Sequence, residues 1–181
     1  AGTLKGQAAA GARSGSADID LDALADFSAL NTELNAGGFA EERRIRLRGG
    51  NLSVAATDEV KARRVSIEAD TGRIDVAGTL GSGSTGGGAR VNVYSGTGVS
   101  MAGISRILAG ATSAGARGGE VRVATRSGDL TFDTDATIDV RAGAAGPAGS
   151  VTFGIARDDA NSAAVARLDG TVLRWNPELE A

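Results

Sequence analysis

Residues 65–76 read Val-Ser-Ile-Glu-Ala-Asp-Thr-Gly-Arg-Ile-Asp-Val, with aliphatic and polar residues alternating on both sides of Gly72. Alternation with a period of two is typical of a β-strand that buries one of its faces. A glycine between two such runs indicates a turn. This stretch therefore predicts two short strands that meet at a glycine corner.

The same pattern recurs along the chain. Six segments have the form apolar-x-apolar, and they begin at Ile19, Ile45, Val65, Val91, Val121 and Val151. Their starts are separated by 26, 20, 26, 30 and 30 residues. Three of them carry a glycine seven positions after the first residue, at Gly72, Gly98 and Gly128. Loops of small residues follow at 81–89, 109–119 and 142–150. Repeats of this length predict a repeat architecture.

The residue types favour one repeat, the parallel β-helix. A helical solenoid would need apolar residues at i, i+3, i+4 and i+7, which residues 45–153 do not supply. A leucine-rich repeat would need a dense leucine consensus and an asparagine ladder, which are also missing. We therefore predict an all-β fold, a parallel β-helix (solenoid) of roughly five coils stacked about 4.8 Å apart. Its structural turns are expected at Gly72, Gly98 and Gly128, where glycine tolerates a positive φ.

The two ends of the chain are less regular. Residues 22–36 place Leu24, Phe27, Leu30 and Leu34 at near-helical spacing, which predicts a short helix capped by Asp20 or Asp22 and ended by Gly37-Gly38. We divide the chain into residues 1–44 (a strand and the helix, a candidate cap), 45–153 (the coils) and 154–181 (a terminal coil or capping tail). Trp175 in that tail is expected to cover a coil end.

Composition excludes several kinds of site. The 181 residues contain no Cys and no His, so there is no disulfide scaffold, no thiolate or imidazole zinc site and no Ser-His-Asp or Cys-His mechanism. We predict no catalytic residues, metal or cofactor. A net charge of -3 argues against nucleic acid as a partner. No apolar run approaches the roughly 18 residues of a membrane span.

A basic set is the best candidate for binding. It comprises Arg44, Arg46, Arg48 and Arg64, with Arg43, Lys61 and Arg63 beside them. If Ile45 and Val65 are one coil apart, Arg44 lies over Arg64 and Arg46 over Ser66. This cationic ridge would suit sulfated or acidic glycans or a neighbouring fibre. Acidic residues flank it at Glu41, Glu42, Asp58 and Glu59. A solvated charged face is therefore the competing interpretation.

An acidic set is the best candidate for catalysis. Asp129, Asp133, Asp135 and Asp139, with Arg141 nearby, could serve a carbohydrate-active β-helix enzyme, either a polysaccharide lyase or a hydrolase. Outward carboxylates also keep a strand soluble, and a fold alone does not establish catalysis. Residues 81–86 match G-x-G-x-x-G, but no helix pattern follows and position 106 is arginine, so a coil corner is favoured over a dinucleotide site.

One protein family has similar motifs. Residues 68–78 (Glu-Ala-Asp-Thr-Gly-Arg-Ile-Asp-Val-Ala-Gly) resemble the coil motif of filamentous-haemagglutinin-type exoproteins, as do residues 34–39, 165–172 and the Gly118-Gly119 loop. The resemblance covers roughly residues 34–172. It implies a right-handed β-helical filament, exported by two-partner secretion and found at or released from the surface of a Gram-negative bacterium. Members act in adhesion, aggregation, biofilm formation or contact-dependent competition.

Two hypotheses on function follow. The first is a non-enzymatic structural or adhesive segment of an extracellular or surface filament. Its expected partners are its own copies or adjoining segments, end to end, and surface glycans. The alternative is the carbohydrate-active enzyme that would use the carboxylates of Asp129–Asp139.

Overall fold

The computed structural model of the chain describes residues 4–9, 12–81, 86–155 and 165–174. In these ranges three parallel sheets run side by side along one axis. The long sheet contains, in spatial order, β1 (Ser16–Leu21), β2 (Glu42–Leu47), β5 (Arg64–Ala69), β8 (Arg90–Ser95), β11 (Glu120–Thr125) and β14 (Ser150–Ile155). The second sheet contains β3 (Leu52–Val54), β6 (Ile74–Val76), β9 (Val99–Met101), β12 (Leu130–Phe132) and β15 (Ala166–Leu168). The third contains β4 (Glu59–Val60), β7 (Thr79–Leu80), β10 (Arg106–Leu108), β13 (Thr137–Asp139) and β16 (Thr171–Leu173).

Each coil contributes one strand to each sheet. Five coils are complete in this sense, and they are β2–β4, β5–β7, β8–β10, β11–β13 and β14–β16. Before them, β1 starts the long sheet and is followed by the helix α1 (Phe27–Ala36) rather than by strands of the other two sheets. The predicted all-β parallel β-helix of about five coils with a short helix near the N-terminus is therefore confirmed.

The register of the long sheet agrees with the predicted repeat except at one step. Val65, Val91, Val121 and Val151 are neighbours in successive strands, as expected. Ile45, however, lies beside Ile67 and not beside Val65. The expectation that Arg44 lies over Arg64, and Arg46 over Ser66, is therefore wrong: Arg44 pairs with Ser66 and Arg46 with Glu68. The reason is that Arg43 occupies the inward position beside Val65, where the pattern predicted an aliphatic residue.

The interior is a stack of aliphatic side chains. Inward positions of all three sheets are buried, as at Ile67, Val76, Leu80, Val121 and Ile138. Each fully buried aliphatic side chain stabilises the fold by roughly 1.5–3 kcal/mol. Phe132 is the largest fully buried apolar side chain of the described residues, and its ring centroid lies 6.1 Å from that of Phe153 in the last coil.

The helix α1 is shorter than predicted. Its N-cap is Asp26, whose side chain accepts a hydrogen bond from the Ala29 N–H at 2.9 Å. Neither Asp20, which lies in β1, nor Asp22 caps it, so the predicted start at residue 22 is wrong. The helix ends at Gly37 as expected. It contacts β3 and β4, and through buried Phe27 and Leu34 it covers the first edges of the second and third sheets.

The predicted corner glycines serve two purposes. Gly98 and Gly128 have positive φ angles of 146° and 73°. Gly72 does not have a positive φ, but a Cβ at this position would overlap the carbonyl oxygen of Gly50 in the preceding coil. Position 72 therefore requires glycine because the neighbouring coil lies too close for a Cβ. Position 128 requires glycine for the same reason and also because its φ is positive.

Candidate functional site

The predicted basic ridge is an ion-pair ladder. Arg46 and Arg48 make bidentate contacts with the carboxylates of Asp70 and Asp20. Arg44 lies 3.7 Å from Glu68. These pairs join residues on different coils, so the charges cross-link successive layers of the stack. The ridge exists, but its positive charge is largely matched by carboxylates.

The fourth ridge residue, Arg64, lies in a different environment. Its guanidinium is 3.5 Å from the carboxylates of both Glu41 and Glu42, while Glu41 is held more closely by Arg63. The hydrogen bond from Arg63 lowers the pKa of Glu41. Hydrogen bonding to Arg48 likewise lowers the pKa of Asp20. Both carboxylates are therefore charged at neutral pH.

Arg43 was grouped with the ridge by sequence, but it lies inside the molecule, with 1% of its surface exposed. It donates hydrogen bonds to Asn31 Oδ1 in α1 and to the carbonyl oxygens of Phe39 and Lys61. Burial lowers its pKa to about 10, so it remains charged at neutral pH. Arg43 fastens the helix to the first complete coil.

The acidic candidates lie apart around the coil. Asp129 precedes β12 and accepts from the Val165 N–H, and Asp133 follows that strand and accepts from the Gly103 N–H at 3.3 Å. Asp139, in β13, makes a bidentate pair with Arg141. Burial raises the pKa of Asp139, but the hydrogen bonds from Arg141 outweigh burial and hold that pKa below its ordinary value. Asp135 is exposed. Asp129 and Asp133 thus bind backbone groups of neighbouring coils, and Asp139 is paired within its own coil.

A groove lies where the chain enters the long sheet, and it brings together residues that sequence reasoning did not group. Its four basic side chains are Arg63, Arg64, Arg90 and Arg117. Gly87, Gly88, Gly118 and Gly119 line it as well, with Ala89, Glu120 and Ser150. Its volume is about 590 Å³. We call these residues the arginine groove. The last three residues of each of two predicted small-residue loops, 87–89 and 117–119, form part of its wall. The sequence could have indicated this groove only once the register between coils was known.

The first residues of the long strands form a row beside the arginine groove. Along the axis this row reads Glu42, Arg64, Arg90, Glu120 and Ser150, each paired in register with the next. Arg90 and Glu120 form an ion pair of 2.8 Å. The two arginines at the centre of the row are therefore direct neighbours, with a carboxylate on the far side of each.

Tyr94, the single tyrosine of the sequence, lies on the outer face of β8 and is 40% exposed. Of the G-x-G-x-x-G match at residues 81–86, four residues lie outside the described part of the chain, and so does Trp175. No group of three or more acidic side chains able to hold a metal ion occurs in the described ranges. No helix there is long and apolar enough to cross a membrane.

Comparisons with known protein families, with curated proteins and with solved structures find no match to this chain.

Proposed function

We propose that this chain is a non-enzymatic structural and adhesive segment of a bacterial filament that is secreted or displayed at the cell surface. The observation that carries the proposal is the difference between the two ends of the coil stack. At the first end, α1 covers the edges of the second and third sheets. At the other end, β14, β15 and β16 are each the last described strand of their sheet.

The last coil supports continuation of the stack. Its inward side chains Val151, Phe153, Ile155 and Val172 pack against the core from one side and are only half-buried. Parallel strands at a sheet edge carry N–H and C=O groups that can pair with another strand. A following coil, or the end of a second copy, would bury this layer and satisfy that edge.

The coil motif at residues 68–78 supports the assignment to a surface filament through its resemblance to filamentous-haemagglutinin-type exoproteins. The charge balance supports close approach between segments, because 19 basic residues nearly match 22 acidic ones and leave little mutual repulsion. The structural uses of Asp129, Asp133 and Asp139 support a role without catalysis.

Size-exclusion chromatography with light scattering, followed by electron microscopy, tests the proposal. We expect species larger than the 18.0 kDa chain, growing with concentration, and fibres or short rods end to end. Val172→Lys places a charge in the half-buried layer of the last coil and should suppress this association. Thr171→Lys, on the exposed side of the same strand, is the matched control. A monodisperse 18.0 kDa species at high concentration would defeat the proposal.

A further inference from the structure

Two arginines lie side by side on neighbouring strands of the long sheet, where like charges are normally avoided. Arg64 and Arg90 are paired in register, and like charges in this position destabilise a sheet. Each arginine meets carboxylates on its outer side only: Arg64 lies 3.5 Å from Glu42, and Arg90 is paired with Glu120. In the register of the sheet Glu42 comes before Arg64 and Glu120 comes after Arg90, so neither of these strand neighbours separates the two arginines. An anion bound beside this pair would relieve the repulsion.

The arginine groove provides the space for such an anion. Its lining residues include four guanidinium groups and one carboxylate, that of Glu120, while Glu41 pairs with Arg63 and Arg64 from outside the lining. Arg117 is exposed and has no ion pair among the described residues. A second depression of about 300 Å³ shares Arg64 and Arg90 with the groove and is also lined by Arg44, Glu42 and Glu68, so its charges are largely matched. The excess of positive charge therefore belongs to the arginine groove and centres on Arg117.

The direction of the groove limits the shape of the ligand. Three successive coils, spaced about 4.8 Å apart, each contribute a basic residue: Arg64 starts β5, Arg90 starts β8, and Arg117 precedes β11, which starts at Glu120. A linear ligand with acidic groups at short, regular intervals would meet one arginine after another. Gly87 has open space where a Cβ would lie, so the wall leaves room for a sugar ring there, whereas Gly88, Gly118 and Gly119 are packed against neighbouring coils.

We propose that the arginine groove binds a carboxylated polysaccharide, a chain of uronate sugars, lying along the solenoid axis. Guanidinium groups bind planar carboxylates through two parallel hydrogen bonds. Sugar hydroxyls suit an open, polar groove. An acidic peptide fits less well, because its own N–H and C=O groups need partners and the groove crosses a sheet whose backbone is already paired.

This inference rests on the adhesive part of the proposed function and leaves end-to-end assembly untouched. The test is calorimetric titration of the full chain with an oligogalacturonate, with an uncharged oligomaltose as the control ligand. We expect binding of the acidic sugar only, weakening as salt rises from about 50 to 200 mM because the contacts are exposed ion pairs.

Variants locate the site. Arg117→Ala and Arg90→Ala should each weaken binding by about fivefold or more. Arg106→Ala, an exposed arginine on the third sheet, is the matched control and should change affinity less than twofold. Circular dichroism melts establish that each variant is folded. Because Arg117 makes no ion pair with the described residues, its replacement tests the site even if Arg90→Ala loses stability.

Three outcomes would overturn the inference. The first is no binding of oligogalacturonate at low salt, which would leave the light-scattering test of filament assembly standing. The second is a loss of affinity in Arg106→Ala equal to that in Arg117→Ala. It would mean that the sugar binds any exposed basic residue and not the groove in particular. The third is binding of a polyglutamate peptide as tight as that of the sugar, which would make the groove a peptide site.

Discussion

The first and last complete coils of the solenoid each contribute one strand to each of the three sheets, but they are held together differently. At the start, Arg46 and Arg48 bridge to carboxylates on other coils, and buried Arg43 ties α1 to the stack. In the fourth complete coil, Arg141 pairs with Asp139 only two residues away, and the inward positions of the last coil are aliphatic or aromatic. The first coils thus carry ion pairs between coils and are partly covered by α1, whereas the last coil is held by strand pairing and apolar packing on one side.

This difference shows that the repeat alone does not set local stability. Neighbouring coils share their backbone geometry, so the cost of a substitution should depend on how many layers enclose it. At the first end α1 covers two of the three sheets, whereas β14, β15 and β16 are each the last described strand of their sheet. The following experiments test this contrast, in order of decreasing effect.

The largest effect is expected for a charge placed in the enclosed core. Val121→Asp would bury an unpaired carboxylate at a position with no exposed surface and should lower the free energy of unfolding by at least about 4 kcal/mol. Val151→Asp is the matched variant, because Val151 is the register neighbour of Val121 in the last coil and is only half-buried. Its cost should be less than half as large. Urea unfolding of both variants measures the difference, and equal costs would mean that the last coil is enclosed.

Removing the buried cation should have the next largest effect. Arg43→Met keeps an unbranched side chain but leaves Asn31 Oδ1 and the carbonyl oxygens of Phe39 and Lys61 without their donor. We expect a loss of about 3 kcal/mol, since each unsatisfied buried acceptor costs roughly 1–3 kcal/mol and some will recruit water. Hydrogen exchange should show the loss of protection centred on α1. Arg122→Met, at an exposed position of β11, is the control. A uniform loss along all coils would contradict a fastening role.

Alanine substitutions at three glycines distinguish backbone strain from steric overlap as causes of destabilisation. Gly50 has a φ of 82° but open space where a Cβ would lie, so Gly50→Ala should cost about 1 kcal/mol from backbone strain alone. Gly128→Ala adds an overlap with the Thr97 carbonyl oxygen to a φ of 73°, and should cost about 2–3 kcal/mol. Gly72→Ala has the overlap without the positive φ. Thermal melts rank the three, and a Gly72→Ala variant as stable as wild type would refute the close-approach explanation.

The smallest effect concerns acid sensitivity at the first end. Hydrogen bonding to Arg63 lowers the pKa of Glu41 below its ordinary value of 4.5, so the stability from this pair is present above that value and is lost as pH falls through the folded pKa. Glu41→Gln should therefore be less stable than wild type at pH 7, by about 1 kcal/mol. The gap should shrink as the pH is lowered below 4.5. Melting temperatures between pH 7 and pH 3 measure it, and a constant gap would show that packing and not charge is responsible.

Much of the fold was predictable because inward aliphatic residues repeat so regularly. All six apolar-x-apolar segments became strands of the long sheet, and the strands after Gly72 and Gly128 formed as expected. The third sheet was not predicted, since strands of two or three residues such as Thr79–Leu80 carry too little pattern. The register error at Ile45 arose because a buried arginine needs acceptors from α1 and from loops, and no local pattern reveals these.

The arginine groove was still harder to predict. Arg64 and Arg90 lie 26 residues apart, and they become neighbours only when the register between β5 and β8 is fixed. Arg117 reaches the same place from a loop. The ridge residues were easier to recognise because they cluster in sequence, but their neutralising partners, such as Asp70 for Arg46, lie on the next coil.

Because every strand of the stack pairs in parallel with the coils on either side, the backbone hydrogen bonds run along the axis of the solenoid. A pulling force along that axis would load the hydrogen bonds between one pair of neighbouring coils at a time, so coils would detach one after another. A 30-residue coil, the register step from Val121 to Val151, would release about 100 Å of extended chain when it opens. The last coil, held on one side, would open first, and the cross-linked first coils last. Such a chain would lengthen in steps under tension and remain anchored at its first end.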